Sequence, residues 1–217
     1  MKSLYILVLG MRGSGKTTLI RGHPQYTDGL IKYLPKPVYI LDLVDNFNVG
    51  KIFESAEHFR KYKIAEARQK VEPPKYYTLK KKVPDQENYY LQAIHRGKLS
   101  GSIVVDEAHQ LCTPRSKNEF VDSIVQIGRN RNQTLVLSAR RAAQLHKDWR
   151  TQVEVAISYR QQDRDDIRAL KYVDPNAEKV KRLKRGQHNY EILGYYDDCP
   201  WFKKFIESEK KVGNYNA

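Results

Sequence analysis

Short runs of consecutive apolar residues punctuate a chain that is otherwise rich in charge: Leu4–Leu9, Val38–Leu43, Ser102–Val105, Thr134–Ser138 and Val153–Ser158. Runs that are apolar throughout, rather than at alternate positions, suit strands buried on both faces of a parallel sheet. Lys16–Arg21, Gln86–Arg96, Lys117–Gly128, Ala142–Trp149 and Asp163–Tyr172 carry helical spacing instead. This alternation predicts an α/β fold with a mostly parallel central sheet flanked by helices. Gly22 is placed to end the first helix, and Tyr76–Leu79 reads as a short extra strand. Phe53–Lys82, rich in Lys, Glu and Tyr and broken by Pro73–Pro74, reads as an irregular insertion, a helix followed by a loop. Beyond Asp174–Pro175, Asn176–Leu183 looks helical, Gly186 punctuates, and His188–Leu193 suits a closing strand. Pro200 precedes an amphipathic helix, Trp201–Lys211, and Val212–Ala217 is expected to fray. With no internal repeat and no long linker, residues 1–217 read as a single domain with its core over about 3–193.

Composition narrows the class. An apolar fraction of 40% with 29% charge is that of a globular protein. The N-terminal apolar run Leu4–Leu9 falls short of a signal-peptide core and far short of a membrane span. The expectation is a soluble, unprocessed protein. Cys112 and Cys199 have neither metal-ligand nor redox spacing and read as buried thiols in a reducing compartment. The 39 Lys+Arg against 25 Asp+Glu leave a net charge of +14, which attracts polyanions, nucleic acid foremost. Of the 15 tyrosines, some could stack on bases, but most read as packing residues.

The chemistry begins at Gly10-Met11-Arg12-Gly13-Ser14-Gly15-Lys16-Thr17, followed by Thr18. It fits G-x-x-x-x-G-K-[ST] at every fixed position and lies between an apolar strand and a helix, the context such a loop requires. The glycines let successive N–H groups turn toward an anion, and the helix N-terminus adds its positive end. Lys16 would reach the β- and γ-phosphates of ATP, and the Thr17 hydroxyl would bind Mg2+. Ser102-Ile103-Val104-Val105-Asp106-Glu107 is an apolar run ending in two carboxylates. Asp106 is expected to hold the magnesium through water, and Glu107 to polarise the attacking water. His109 reads as structural or supporting, and Asp42, near the end of the second run, as the cap of a turn rather than a ligand.

The stretch Ile124–Leu145, IVQIGRNRNQTLVLSARRAAQL, resembles the FtsK–HerA group of DNA-pumping ATPases, in which a helix ends in a G-R-x-x-G-like turn before a strand and a polar sensor segment. The likeness is nearest to the small genome-packaging ATPases of membrane-containing viruses, and Asn176–Tyr190 is similar to their terminal helix–turn–strand. It covers most of residues 3–193, leaving 53–82 unmatched. The resemblance implies a RecA/FtsK-like P-loop NTPase fold and Mg-dependent ATP hydrolysis coupled to translocation of double-stranded DNA. It also implies a homo-oligomeric ring, a hexamer, and a capsid or membrane-vertex partner. Members keep a glutamine after the fourth core strand to sense the γ-phosphate; here Arg140 stands in its place, while Arg141 matches. Such rings complete each site with a cation from the neighbouring subunit, for which Arg129 and Arg131 are candidates, each reading equally well as a surface or DNA-contacting arginine. Backbone contacts from Lys61–Lys82 or Lys179–Arg185 would be nonspecific and weakened by salt. Other readings are a filamentous-phage export ATPase, which would need a membrane span, a nucleotide-switched nucleic-acid binder, which has less need of Glu107, and a small-molecule kinase, which would need a lid.

Overall fold

The computed structural model describes residues 2–25, 27–83, 85–184 and 189–211. Its strands are β1 (Tyr5–Leu9), β2 (Val38–Asp42), β3 (Lys51–Phe53), β4 (Tyr76–Lys80), β5 (Gly101–Val105), the two-residue pair β6 (Cys112–Thr113) and β7 (Ser116–Lys117), β8 (Gln133–Ala139), β9 (Val155–Tyr159) and β10 (Tyr190–Gly194). Its helices are α1 (Lys16–Arg21), α2 (Leu30–Tyr33), α3 (Ala56–Ala67), α4 (Gln86–Arg96), α5 (Glu119–Ile127), α6 (Lys147–Thr151), α7 (Arg164–Leu170) and α8 (Pro200–Lys211). Among the described residues, eight strands form one sheet in the order β10-β9-β1-β8-β5-β2-β4-β3. Every pairing in it is parallel except that of β10 with β9.

Alternation along β1 feeds two cores. Tyr5, Leu7 and Leu9 join the core packed by α3, α4, α5, α6 and α7, through residues such as Phe59, Tyr90, Val121, Trp149 and Ile167. Leu4, Ile6 and Val8 join the core on the other face, packed by Leu19 and Ile20 of α1, Leu30 of α2, and Phe202 and Phe205 of α8. Covering both faces is what makes uninterrupted apolar strands stable, since neither side meets water. Within the described residues no helix is long and apolar enough to cross a membrane.

The segment 53–82 is more regular than its composition suggests. Ser55 caps α3 by accepting the His58 N–H, and β4 lies inside the sheet between β2 and β3. The apolar signal here is aromatic: Phe53 meets Phe59 edge-on at 5.3 Å between centroids, and Tyr39 stacks on Tyr77 at 4.9 Å. These tyrosines are packing residues, in line with the sequence reading. Two expected helices are shorter than drawn. Lys117 belongs to β7, and α5 starts after Asn118, whose side chain accepts the N–H groups of Phe120 and Val121. Ala142–Trp149 divides into a 3-10 turn, Ala142–Gln144, and α6, which His146 caps. Asn176–Leu183 forms a 3-10 helix, Ala177–Arg182. Gly22 ends α1 at a φ of 95°, its N–H donating to Thr18. Gly186, His188 at the expected start of the closing strand, and the end expected to fray, 212–217, lie outside the described residues.

Helix α8 contributes Phe202, fully buried against Phe205 and Tyr196. Phe202→Ala is expected to lower unfolding stability by about 3–5 kcal/mol in a denaturant titration.

A candidate nucleotide site at the strand ends

In a sheet built from parallel strands, ligands gather beyond the carboxyl ends where successive connections diverge to opposite sides. That place is the end of β1, because the chain leaves it through α1 for β2 on one side, while β9 lies on the other. The loop 10–15 occupies it. Its first residue is tied to the neighbouring strand by the Gly10 N–H donating to Ala139 at 3.2 Å. Gly13 and Gly15 take φ values of 78° and 102°, a region that side chains resist. Gly10 is required for a different reason, since a Cβ there would lie 2.3 Å from Ser14 Oγ. Met11 and Arg12 are exposed, whereas Thr17 and Thr18 are half-buried in the first turn of α1.

Lys16 opens α1 and is buried. Its ammonium donates to the Gly10 carbonyl at 2.6 Å and stands 3.9 Å from Glu107 Oε1. Burial lowers its pKa, against the pull of Glu107 and Asp106. The hydroxyl of Ser14 is buried with no partner among the described residues. An under-satisfied cation and an idle hydroxyl on a loop of glycines form a receptor for an anion.

The carboxylates arrive on β5, which pairs with β8 and not with β1. Asp106 is fully buried; its Oδ1 accepts the Ser138 hydroxyl at 2.7 Å and its Oδ2 accepts Asn46 Nδ2 at 3.2 Å. Glu107 has a φ of 50°, and its own N–H donates to Ser138 Oγ at 3.3 Å. That left-handed turn at a non-glycine residue is a strained conformation of the kind found at functional sites. Around its carboxylate lie Arg140 Nε and His109 Nε2, each 3.3 Å from Oε2. Burial lowers the His109 pKa, against the pull of Glu107, and so favours the neutral ring.

Beside the loop lies a cleft of about 500 Å³, walled by Met11, Arg12, Tyr159, Gln161, Arg141 and Lys184 among others. The Tyr159 hydroxyl and Arg160 Nε are buried without partners among the described residues. Arg141 is fixed by Asp166 at 2.8 Å and Asp163 at 2.7 Å.

Lys16, Asp106, Glu107 and Arg140 are therefore brought together, as their sequence positions suggested. Arg129 and Arg131 are not. They precede β8, whereas the phosphate loop follows β1, and β1 and β8 are parallel, so the two arginines lie at the opposite edge of the sheet. Arg129 pairs with Glu154 at 3.3 Å, and Arg131 donates to the His95 carbonyl at 3.0 Å. Asp42 caps a turn, accepting the N–H groups of Asn46 and Phe47, each at 2.9 Å. Both cysteines are buried and free. Sequence reasoning missed Asn46 and the part played by Ser138. The signal for Ser138 was a lone polar residue at the end of an apolar strand.

No protein-family model and no curated protein matches the sequence. Solved structures do. The genome packaging NTPase of Sulfolobus turreted icosahedral virus 2, in complex with sulfate, aligns with a TM-score of 0.65 at 22% identity, over 88% of this chain and 90% of that one. The chain has a P-loop NTPase fold. The DNA-packaging ATPase of Sulfolobus turreted icosahedral virus aligns with a TM-score of 0.60 at 18% identity, over 85% and 90% of the two chains. VirB4 of Thermoanaerobacter pseudethanolicus gives 0.52 at 11% identity, over 84% and 85%. The packaging NTPase of the second virus has also been solved with AMP and with ATP-gammaS. Shared P-loop NTPase architecture thus agrees with the α/β reading of the sequence.

Gly10→Ala forces the loop open against Ser14 and Tyr159. It is expected to weaken binding of a fluorescent ATP analogue by about fivefold to a hundredfold, because overpacking of this kind costs about 1–3 kcal/mol.

Proposed function

We propose that this protein is a magnesium-dependent ATPase that translocates double-stranded DNA, packaging a viral genome into a capsid. The observation that carries the reading is the convergence of Lys16, Asp106, Glu107 and Arg140 on one strand-end site, with Glu107 turned toward the Lys16 ammonium. The loop 10–18 binds the phosphates through backbone N–H groups, Ser14, Lys16 and Thr18, while the adjoining cleft receives the nucleoside. Among the described residues there is no group of three or more His, Cys, Asp or Glu able to hold a metal. Mg2+ takes one or two protein oxygens and fills its shell with phosphate and water. Thr17 and Asp106 would hold the ion, which would neutralise negative charge on the nucleotide's phosphates. Glu107 accepts a proton from the attacking water, Lys16 draws charge off the γ-phosphate, and Arg140 contacts the same oxygens with full charge where relatives use an amide.

Hydrolysis without work would be idle, and the +14 charge together with the likeness to packaging NTPases favours DNA as the load. Subunits act as a homo-oligomeric ring, a hexamer, each a single domain, seated on a capsid or membrane-vertex protein in the host cytoplasm or virion. Arg129 is the better donor of a cation to a neighbouring subunit, because its side chain is 56% exposed. The guanidinium of Arg131 is already engaged by His95.

Lys16→Ala is expected to abolish ATP hydrolysis, and unchanged turnover would refute the phosphate-loop assignment. Glu107→Gln is expected to bind ATP like the unaltered protein yet turn over roughly a hundredfold or more slowly. Isothermal titration and a coupled ATPase assay separate the two effects, and near-normal turnover would remove Glu107 from its role.

A further inference from the structure

Helix α7 presents two different faces. Inward, Asp166, Ile167 and Leu170 are buried. Outward, Arg164, Arg168 and Lys171 recur at i, i+4 and i+7 and form one exposed stripe. Beside the stripe runs the 3-10 helix Ala177–Arg182, and together they border a groove of about 720 Å³ lined by Arg164, Arg168, Lys171, Lys181, Asp165 and Glu178. Glu178 is spent on Lys171 at 3.1 Å and Lys181 at 2.6 Å. Arg164 and Arg168 have no ion pair or hydrogen bond from their side chains among the described residues, so their guanidinium groups remain available to a partner. Elsewhere much of the lysine-rich surface is self-neutralised: Lys80 and Lys82 pair with Asp45, Lys81 with Glu87, Lys61 with Glu57, and Lys63 with Glu66.

What distinguishes this patch is its mechanical attachment to the catalytic end of β8. Asp166, on the buried face of α7, accepts from Arg141 Nε at 2.8 Å and from the Ala143 N–H at 2.9 Å. Arg141 follows Arg140, which meets Glu107 at 3.3 Å. Gln161, just before α7, donates to the Arg140 carbonyl at 3.3 Å. The buried carboxylate of Asp166 and the partly exposed guanidinium of Arg141 thus link α7 to the residue beside the water-activating carboxylate. Breaking that pair would leave the buried Asp166 carboxylate with only the Ala143 N–H, so the contact ties the helix to the strand end.

We propose that the Arg164–Arg168 face of α7 grips the phosphate backbone of duplex DNA, and that the Asp166–Arg141 pair couples this grip to the position of Arg140 and Glu107. The assignment rests on the translocase reading and gives it a contact surface and a route to the active site. Guanidinium groups suit the task, since their fork matches phosphate oxygens and carries no sequence preference.

The test uses the full chain, a mixed-sequence duplex as probe, anisotropy across a salt series, and ATP hydrolysis with and without the duplex. Arg164→Ala/Arg168→Ala is expected to leave DNA-free hydrolysis unchanged while weakening duplex binding. The salt slope should lose about two units, close to 0.9 per phosphate contact. Lys203→Ala/Lys204→Ala, on the exposed side of α8, removes the same charge elsewhere and is expected to bind DNA as the unaltered protein does. Arg141→Gln is expected to keep duplex affinity and lose stimulation by DNA. An Arg164/Arg168 variant with unaltered affinity and slope overturns the surface, as does one that loses binding only to anionic phosphatidylglycerol vesicles. Full DNA stimulation in Arg141→Gln overturns the coupling. Absence of duplex binding by the unaltered protein overturns the translocase reading and this assignment with it, which separates the two failures.

Discussion

The ammonium of Lys16 is buried at the start of α1 and among the described residues makes one hydrogen bond, to the Gly10 carbonyl, while Glu107 approaches only to 3.9 Å. A buried cation with so few partners carries an uncompensated desolvation cost, visible in its lowered pKa. The surrounding fold holds that unfavourable state in place. Among the described residues the Ser14 hydroxyl is likewise left without a partner. A bound phosphate supplies what both groups lack, so part of its binding energy comes from relieving a cost imposed by folding.

The same logic extends across the sheet. Because β8 separates β1 from β5, the cation and the carboxylates are near but not fused into a closed ion pair. Ser138, at the end of β8, fills the gap between them by donating to Asp106 and accepting from the Glu107 N–H. Had β1 and β5 been adjacent, Lys16 and Asp106 could have neutralised one another and left no room for a nucleotide. Strand order is therefore a chemical device here as much as an architectural one. Arg140, one residue beyond the strand, joins the cluster from the solvent side.

Much of this was legible in the sequence because it is local. The phosphate loop is contiguous, the Asp106–Glu107 pair ends an apolar run, and apolar runs alternating with helical spacing mark a parallel sheet. What was not legible depends on tertiary partners. In the lysine-rich stretch the helix and the Tyr76–Leu79 strand were legible, but the aromatic packing of Phe53, Phe59 and Tyr77 that orders it, and the short edge strand β3, were not. Asn118 and His146 shorten two helices through side-chain caps that periodicity does not register. Asn46 reaches Asp106 only because the turn after β2 folds back over the strand end, fastened by Asp42. The opposite placement of Arg129 and Arg131 could have been inferred, since residues preceding a parallel strand cannot share an edge with a loop that follows its neighbour.

The most direct measurement is steady-state ATP hydrolysis by the purified protein, with and without double-stranded DNA, at low and at high salt. A DNA-driven machine predicts stimulation that fades as salt displaces the phosphate contacts. Hydrolysis that is slow and indifferent to DNA at every salt concentration would contradict the account.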